Sequence, residues 1–453
     1  MSLKLEFNYK KYLQTIYHYM KKVNIAYIVL FVLALHVFIM STPSDGKIFD
    51  ESAYIPASID TIHGIAANAE HMPLAKLVIG ATIQVFGDWW FSWRITSVLF
   101  STLAIGVVYL IALQFMSRKY ALFSAAFLGF DVLFFVNGSI GILDAQAAFF
   151  GLLGVWLLLK KRYAWSGLVF AVAILSKEIT LLLVLGMAIY LLMNKVKQRE
   201  IHFRKPTFKA FKPLLVFFLV LSTVFMGGLY AYDIVYKPSS SAVLQTNVAA
   251  TVFVDNASNP VTTSYSTTNV TSHIYITNPI QHLVFAFNYY AGLTPTINPS
   301  TQDFRPPWSW ALPLVNAWNP PTYYQVSVQV GSVISHPVSY YSQISYPVTV
   351  FIVPTVALCL WMMLKKNSDK FPLFYIGWVA ATYGPWLLFG LLVQKMTFNY
   401  YFLYTVPALC MGAPWFISKL KLKNKYKTFI LLSLLLIVGV YFMYYFPINI
   451  FRA

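Results

Sequence analysis

Eleven mostly apolar stretches follow one another along the chain, separated by short polar or basic junctions. They lie at about 24–41, 91–115, 120–136, 140–159, 164–176, 179–193, 213–235, 347–364, 371–392, 399–417 and 428–446. Because an α-helix rises about 1.5 Å per residue, about 20 apolar residues cross the hydrocarbon core of a bilayer. The pattern therefore predicts an all-α polytopic membrane protein with about eleven transmembrane helices.

The fifth and sixth stretches are too short to cross a bilayer unaided, and Ser176-Lys177-Glu178 lies between them. Non-helical backbone at membrane depth is tolerated where it lines a cavity. Lys177 is therefore predicted at a broken or re-entrant tip that faces a polar cavity.

The composition changes between Lys237 and about Tyr346, where Ser, Thr, Asn, Tyr and Pro dominate and charges are few. Alternating β-branched and small polar residues in its first part predict strands or a flap, and Pro and Trp residues in its second part predict turns. The chain thus divides into a membrane region at 1–235 with a first external loop at 41–90, an external loop domain of mixed or β character at 236–346, and a second membrane region at 347–453.

Basic residues mark alternate junctions of this pattern. Of 33 Lys and Arg residues, 25 fall in six clusters: Lys4 to Lys22, Arg118-Lys119, Lys160 to Arg162, Lys195 to Lys212, Lys365 to Lys370 and Lys419 to Lys427. The positive-inside rule places these junctions and the N-terminus in the cytoplasm, and the C-terminus and the 41–90 loop outside. The net charge of +18 is thus a topology signal rather than evidence for a nucleic-acid partner, and a mean hydropathy of +0.63 excludes a soluble fold.

Ionisable groups gather just beyond the first apolar stretch. The pair Asp50-Glu51 is followed by Asp60, His63, Glu70, His71 and Lys76 in a chain that is only 11% charged. Because each charge costs several kcal/mol to bury, such a cluster beside a membrane indicates a functional site. The alternative is an ordinary hydrated loop that contains two acids.

The order of short motifs around these residues resembles the protein O-mannosyltransferases, enzymes of the C-type glycosyltransferase fold. The motifs are Phe49-Asp50-Glu51, His71-Met72-Pro73-Leu74-Ala75-Lys76-Leu77, Trp93-Arg94-Ile95-Thr96-Ser97, Ile142-Leu143-Asp144, Leu175-Ser176-Lys177, the Pro307 to Pro313 segment and Tyr383-Gly384-Pro385-Trp386. The ordered set covers nearly the whole chain and is more specific than any one motif.

The resemblance implies transfer of a sugar, by analogy mannose, from a polyprenyl or dolichyl phosphate to a Ser or Thr hydroxyl of a secreted or surface protein. An attacking hydroxyl needs a carboxylate to take its proton, and Asp50 is the predicted base of an inverting transfer. Glu51 is predicted to orient the acceptor or the network of acids. Asp144 is a second candidate acid, although it could instead satisfy free N–H groups at the start of a helix.

The donor phosphate requires cations at the outer boundary of the membrane. The candidates are Arg94, Lys177, Lys76, Arg305 and Lys395. For each, the alternative is a side chain that extends to water or to lipid headgroups. His71, Trp308 and Tyr401 are candidate substrate-binding residues.

Three departures from the family pattern bear on the donor. Met72-Pro73 stands where the family has two prolines, Ser139 stands where the family usually has an Arg, and Tyr401 lies where a His is usual. Without that Arg, a different cation must contact the phosphate or the donor differs. No cofactor is firmly implied: Glu70 and His71 could hold a divalent cation, but two adjacent ligands on one loop favour an ordinary hydrogen-bonded histidine.

Other functions stay open at this point. The same fold could glycosylate a lipid or a glycan, the chain could be a transporter, or it could be a homologue that has lost catalysis and serves as a binding partner. A transporter is expected to pair charges in the middle of its spans, whereas here the charges gather at the outer boundary. The predicted location is the cell membrane or a membrane of the endoplasmic reticulum type, with the lipid bilayer itself as a partner.

Overall fold

A computed structural model describes residues 23–40, 46–197, 208–250, 264–292, 306–313, 322–330, 333–365, 368–393 and 398–448. Helices make up most of these residues, as the apolar pattern predicted. The helices before the first strand are α1 Ile25–Met40, α2 Glu51–Ile62, α3 Leu74–Phe86, α4 Trp90–Ala112, α5 Arg118–Gly129, α6 Val132–Ser139, α7 Asp144–Leu159, α8 Tyr163–Ser176, α9 Thr180–Lys197 and α10 Phe208–Tyr236.

The second half begins with strands. Its elements are β1 Ser239–Ala250, β2 Ser264–Tyr275, α11 Pro279–Gly292, α12 Trp308–Ala311, β3 Thr322–Val330, β4 Val333–Tyr341, α13 Tyr346–Thr349, α14 Ile352–Leu364, α15 Phe371–Leu388, a π-helical turn Phe389–Val393, a 3₁₀ helix Asn399–Tyr404, α16 Val406–Lys419 and α17 Asn424–Tyr444. Two antiparallel hairpins, β1–β2 and β3–β4, thus lie in the stretch predicted to be external. That this stretch forms an extracytoplasmic domain stays a prediction.

Five helical segments of the described chain are long and apolar enough to cross a bilayer: Trp90–Ala112, Phe211–Tyr236, Tyr346–Leu364, Phe371–Leu392 and Asn424–Tyr444. The chain is therefore an integral membrane protein. The helices α5 and α6 together form a sixth candidate span, bent by 57°. A helix coincides with each predicted apolar stretch, but several are shorter than a span, so the number of eleven crossings is not confirmed.

The bend between α5 and α6 is held by polar groups inside the apolar bundle. Asp131 precedes α6 and its carboxylate accepts a hydrogen bond from the Phe134 N–H at 2.8 Å. The Val132 N–H donates to the Ser345 hydroxyl oxygen at 2.8 Å. Because the first N–H groups of a helix have no partner within the helix, these contacts satisfy the backbone exposed by the break.

The segment treated in the sequence as a first external loop contains two helices, α2 and α3. Gly87 ends α3 with a φ of 87°, a conformation that a residue without a Cβ adopts at little cost. The chain therefore turns sharply into α4, which packs against α1, α3, α5, α6 and α7. Arg94, the fifth residue of α4, is fully buried among these helices.

Candidate functional site

Side chains from six separate segments meet at one end of the helical bundle. The segments are the start of α2, the loop before α3, the start of α7, the break between α8 and α9, α11, and the 3₁₀ helix. Their ionisable and aromatic members are Asp50, Tyr54, His71, Asp144, Lys177, Glu178, Tyr290, Tyr400 and Tyr401. Five of these residues are candidates from the sequence, whereas Tyr54, Glu178, Tyr290 and Tyr400 are not.

Glu51 and Arg94 form a buried, bidentate ion pair. The Arg94 Nε donates to Glu51 Oε1 at 2.7 Å, and its Nη2 donates to Oε2 at 2.8 Å. The same two oxygens accept the backbone N–H groups of Gly141 at 2.6 Å and Ile48 at 2.7 Å. The pair thereby ties α2, α4 and the turn before α7 together, and its charges balance within the protein.

Gly141 is required by this arrangement. A Cβ at position 141 would lie 2.6 Å from the Trp93 carbonyl oxygen, so only glycine lets the backbone approach Glu51. Because both carboxylate oxygens accept hydrogen bonds within the protein and the side chain is buried, Glu51 has no exposed oxygen for the hydroxyl of an acceptor substrate. Arg94 points at Glu51 and at the Gly46 carbonyl oxygen, at 3.4 Å.

Asp50 lies beside this pair at the point where the backbone is strained. Phe49 has a φ of 52°, in the left-handed region that bulky residues rarely adopt, and its ring stacks on Tyr323 at 4.3 Å between centroids. Such strain clusters at functional sites because the surrounding packing must maintain it. The turn sets Asp50 at the start of α2, half-buried and facing the cluster.

The surroundings of Asp50 raise the pKa of its carboxyl group. Burial has the largest effect and the charge of Asp144 adds to it, whereas Lys177, His71 and a hydrogen bond from Tyr54 act in the opposite direction. A carboxylate with a raised pKa holds a proton more readily than a free aspartate does. Asp50 therefore has the electrostatic setting of a general base.

Lys177 and Asp144 form a second buried ion pair. The Lys177 Nζ lies 2.5 Å from Asp144 Oδ2, and both side chains are almost fully buried. Burial alone would lower the pKa of Lys177, but the charges of Asp144 and Asp50 raise it, so the ammonium stays charged. The second oxygen of Asp144, Oδ1, is buried without a hydrogen-bond partner among the described residues.

The predicted break between α8 and α9 is present and places Lys177 in the site. Lys177 ends α8 in an extended conformation, with φ −158° and ψ 128°. Its ammonium lies 5.3 Å from the centroid of the Tyr400 ring and 5.6 Å from that of Tyr54, within the range of cation–π attraction. The cation is thus held by fixed groups rather than by solvent.

Lys76 is turned inward and has all three of its N–H donors engaged. It donates to the carbonyl oxygens of Ala67 at 3.2 Å, Asn68 at 2.5 Å and His71 at 3.0 Å. Because an ammonium has three donors, this set completes its capacity. In this structure Lys76 fixes the loop that carries His71.

His71 and Glu178 face each other beside Tyr290, near the C-terminal end of α11. His71 Nδ1 lies 3.2 Å from Glu178 Oε1, and the Tyr290 hydroxyl donates to the same oxygen at 2.5 Å. Burial alone would raise the pKa of Glu178, but the hydrogen bond and charge of His71, with Lys177 and Tyr290, lower it to about 2. Glu178 is therefore a carboxylate at neutral pH.

The remaining predicted residues are Tyr401, which belongs to the cluster, Trp308, and two cations at positions 305 and 395. Tyr401 stacks on Trp386 at 4.3 Å between centroids, and Trp308 starts α12 with 39% of its surface exposed. Arg305 and Lys395 lie outside the described residues. Ser139, at the position of the family's Arg, is buried with its hydroxyl donating to the Phe135 carbonyl oxygen and 3.0 Å from His36 Nδ1.

The described residues contain no group of three or more His, Cys, Asp or Glu side chains arranged to hold a metal ion. Glu70 accepts a hydrogen bond from Asn68 at 2.7 Å, and both ring nitrogens of its neighbour His71 face protein groups. The two adjacent side chains are engaged separately, so the structure offers no argument for a divalent cation there.

Comparisons with known proteins agree with the motif resemblance. Residues 70–226 match the family described as dolichyl-phosphate-mannose-protein mannosyltransferase. A 134-residue stretch is 30% identical to the polyprenol-phosphate-mannose–protein mannosyltransferase of Corynebacterium glutamicum. The match covers 26% of this chain and 26%, about a quarter, of the relative's length.

Solved structures extend the similarity in fold over more than nine-tenths of the chain. The protein O-mannosyltransferase complex of S. cerevisiae, bound to the sugar donor, superposes with a TM-score of 0.66 and 12% identity over 93% of this chain and 89% of the other. ArnT from Cupriavidus metallidurans, bound to undecaprenyl phosphate, superposes with a TM-score of 0.53 and 13% identity over 92% of this chain and 64% of the other. At these identities the similarity concerns the fold.

Proposed function

Because this chain has the protein O-mannosyltransferase fold and residues 70–226 match that family, we propose that it is a membrane glycosyltransferase. Its donor is a sugar, by analogy mannose, on a polyprenyl or dolichyl phosphate. Its acceptor is a Ser or Thr hydroxyl of a secreted or surface protein. The proposed reaction takes place on the outer side of the membrane, and the basic clusters of the sequence support this orientation through the positive-inside rule.

One observation carries this proposal: a carboxylate with a raised pKa and a fixed, buried cation share one site. Asp50 and Lys177 influence each other electrostatically, and Lys177 is oriented by Asp144 and two aromatic rings. Sugar transfer from a phosphate needs a base for the acceptor and a cation for the leaving group. The site contains both types of group.

In the proposed reaction the acceptor oxygen attacks the anomeric carbon while its proton passes to Asp50. The bond between that carbon and the phosphate oxygen breaks, and its electron pair stays on the lipid phosphate. Lys177 stabilises the developing charge, since a cation fixed in a partly dehydrated site needs little rearrangement. Attack from the face opposite the phosphate inverts the anomeric configuration.

The other acidic and basic residues have supporting parts in this proposal. Glu51 and Arg94 hold the Asp50 turn in place rather than contacting the acceptor or the phosphate, because each satisfies the other. Asp144 orients Lys177, and its second oxygen is available to a hydroxyl of the sugar or the acceptor. Arg305, Lys395, Trp308 and Tyr401 remain candidates for the donor and the acceptor.

Asp50→Asn tests the proposed function directly. The purified protein is incubated with a polyprenyl-phosphate mannose and a Ser/Thr-rich peptide, and product is measured by mass spectrometry. We expect wild type to mannosylate the peptide and Asp50→Asn to show no turnover, because an amide keeps the shape but takes no proton.

Asp88→Asn is the matched control, because that carboxylate is exposed and is not a member of the cluster. It accepts a hydrogen bond from Trp93 Nε1–H at 2.7 Å. It is expected to retain wild-type turnover. Near-normal turnover of Asp50→Asn at saturating donor would contradict the assignment of the base and make Asp144 the next candidate. A wild-type protein that glycosylates a lipid or a glycan but not the peptide would contradict the protein acceptor.

A further inference from the structure

Helix α11 is bonded to the rest of the protein at two points along its length. His282 Nδ1 lies 2.6 Å from Oδ1 of Asp233, which belongs to the last turn of the candidate span α10. Eight residues later, the Tyr290 hydroxyl donates to Glu178 Oε1 at 2.5 Å, beside the break between α8 and α9. Eight helical residues rise about 12 Å, so α11 runs across the ends of neighbouring helices rather than through a bilayer core of about 30 Å.

One face of α11 is turned towards the protein. His282, Ala286 and Tyr290 follow one another at intervals of four residues and share that face. The buried His282 also places its Nε2 2.8 Å from the Ala69 carbonyl oxygen, and Ala286 packs with Leu229 in a small buried cluster. This face therefore joins α10, the loop before α3 and the candidate site.

The rest of the α11 surface divides into an apolar part and a polar part. Ile280, Val284 and Phe287 are 66%, 53% and 70% exposed, and their spacing places them on one face, here called the apolar stripe. Gln281 and Asn288 are also exposed, and at about 100° per residue they lie roughly a quarter of a turn from the stripe. Water alone gives no reason for such a separation, which is typical of a helix at the boundary between lipid and water.

Lipid is the neighbour that this position offers to the apolar stripe. The last two turns of α10 expose Tyr230, Ile234 and Val235 within a candidate membrane span, where exposed apolar side chains face acyl chains. Helix α11 is bonded to the same stretch of α10 through Asp233. The stripe therefore continues a lipid-facing surface, and α11 contains no Asp, Glu, Lys or Arg that would favour water around it.

We propose that α11 lies at the membrane surface with its apolar stripe against the acyl chains of the leaflet nearest the candidate site, and that this contact holds Tyr290 beside Glu178. Because His282 fixes the first half of the helix, the lipid contact of Phe287 acts on the second half, which carries Tyr290. The position of α11 is independent of the proposed function, whereas its effect on turnover rests on that function.

Nitroxide labels on neighbouring residues test the position of the helix. Phe287→Cys and Asn288→Cys are labelled in phosphatidylcholine proteoliposomes, with unmutated protein as the blank because Cys359 and Cys410 are buried. Oxygen concentrates among acyl chains and a neutral nickel chelate stays in water. For a stripe buried about 5 to 10 Å into the boundary, the ratio of oxygen to nickel accessibility should be about tenfold higher at 287 than at 288. Val284→Cys and Gln281→Cys provide a second matched pair.

Two results of the labelling would overturn the proposal. Equal ratios at 287 and 288, with both labels open to the nickel chelate, would place the stripe in water. A label at 287 that neither oxygen nor the chelate reaches would show that protein, such as a second copy of the chain, covers the stripe instead of lipid.

Turnover tests the effect on Tyr290 by adding the same charge at adjacent positions. Phe287→Asp is expected to lower kcat about tenfold, the effect of losing one hydrogen bond to a charged group, because a carboxylate withdraws the stripe from lipid. Asn288→Asp is the matched control and should retain wild-type kcat, and Phe287→Leu should do the same because it keeps the apolar contact. In a Tyr290→Phe background, Phe287→Asp should reduce kcat further by less than about threefold, because the contact that it weakens is already absent.

Equal losses in Phe287→Asp and Asn288→Asp would overturn the role of the lipid contact, since charge alone would then explain them. Wild-type kcat in Phe287→Asp, or a full tenfold loss in the Tyr290→Phe background, would also overturn it. Thermal unfolding establishes that the variants compared are folded. A wild-type protein without product would contradict the proposed function, whereas the labels would still report where α11 lies.

Discussion

The neighbours Asp50 and Glu51 are expected to respond in opposite ways to the same change from acid to amide. In Glu51, each oxygen accepts two hydrogen bonds: Oε1 from Arg94 Nε and the Gly141 N–H, and Oε2 from Arg94 Nη2 and the Ile48 N–H. Whichever way the amide of Glu51→Gln is turned, its NH₂ group meets two donors. Two hydrogen bonds are lost, and buried Arg94 loses its carboxylate partner.

Removing one partner of a buried ion pair costs about 3 to 5 kcal/mol. At about 1.4 kcal/mol per tenfold, Glu51→Gln is expected to lower the folding constant about a thousandfold. Asp50→Asn differs, because the raised pKa of Asp50 means that the folded state disfavours its ionised form. A neutral side chain there should leave stability unchanged or raise it slightly at neutral pH, while abolishing turnover.

Both variants can be compared with wild type in detergent, by thermal ramps followed by tryptophan fluorescence and by turnover of the protein that stays folded. Asp88→Asn is again the control and should lie within about 0.5 kcal/mol of wild type. Wild-type stability of Glu51→Gln combined with no turnover would refute the structural role and return Glu51 to the substrate. Marked destabilisation of Asp50→Asn would refute the account of its pKa.

Further predictions concern the Lys177 cation, the pH dependence of turnover, the buried contact of His282 and the orientation of the chain in the membrane. Lys177→Gln should raise the donor concentration for half-maximal turnover about tenfold to a hundredfold, measured by donor titration, and an unchanged value would exclude Lys177 as a phosphate contact. Initial rates should rise with pH through the raised pKa of Asp50, because the base works only when ionised, and a flat profile between about pH 4 and 8 would contradict this. The buried side chain of His282 joins α10 to the loop before α3, because its Nδ1 lies 2.6 Å from Asp233 Oδ1 and its Nε2 lies 2.8 Å from the Ala69 carbonyl oxygen. His282→Gln should therefore lower the free energy of unfolding by about 1.5 to 3 kcal/mol in unfolding titrations, and wild-type stability would show that this contact is dispensable. In intact cells an impermeant thiol reagent should label Ser239→Cys and not Ser418→Cys, and the reverse pattern would invert the topology.

Apolar periodicity was sufficient to predict the helical class and the position of nearly every helix, because a bilayer demands long apolar runs. The break at Lys177 could also be predicted, since its flanking helices are short. The helix Leu74–Phe86 was missed, because Lys76 within it and the acids and histidines just before it made residues 41–90 resemble a polar loop. The comparisons agree with the family resemblance over residues 70–226 and with the fold over 93% of the chain, and periodicity alone gives neither.

Partners within the site could not be predicted, because they depend on which helix ends meet. Arg94 and Glu51 are 43 residues apart in the chain, and nothing in either segment indicates that one neutralises the other. The sequence motif that contains Lys76 likewise suggested a contact with the donor phosphate. Its three carbonyl partners depend instead on how residues 67–71 fold around its ammonium group. Glu178 was overlooked beside Lys177, although a charged pair at a break between two apolar helices is itself a sign of a site.

The wide spacing of these segments along the chain also determines when the site can exist during synthesis. Asp50 enters the membrane early, but the ring of Tyr400 that lies against Lys177 comes about 350 residues later. At about 5 to 20 residues per second, roughly 20 to 70 s separate the two. A nascent chain inserted only through its first helices therefore has Asp50 without the surroundings that complete the site. On the proposed function, we expect it to be inert towards lipid-linked sugars until the last third of the protein has been made and packed.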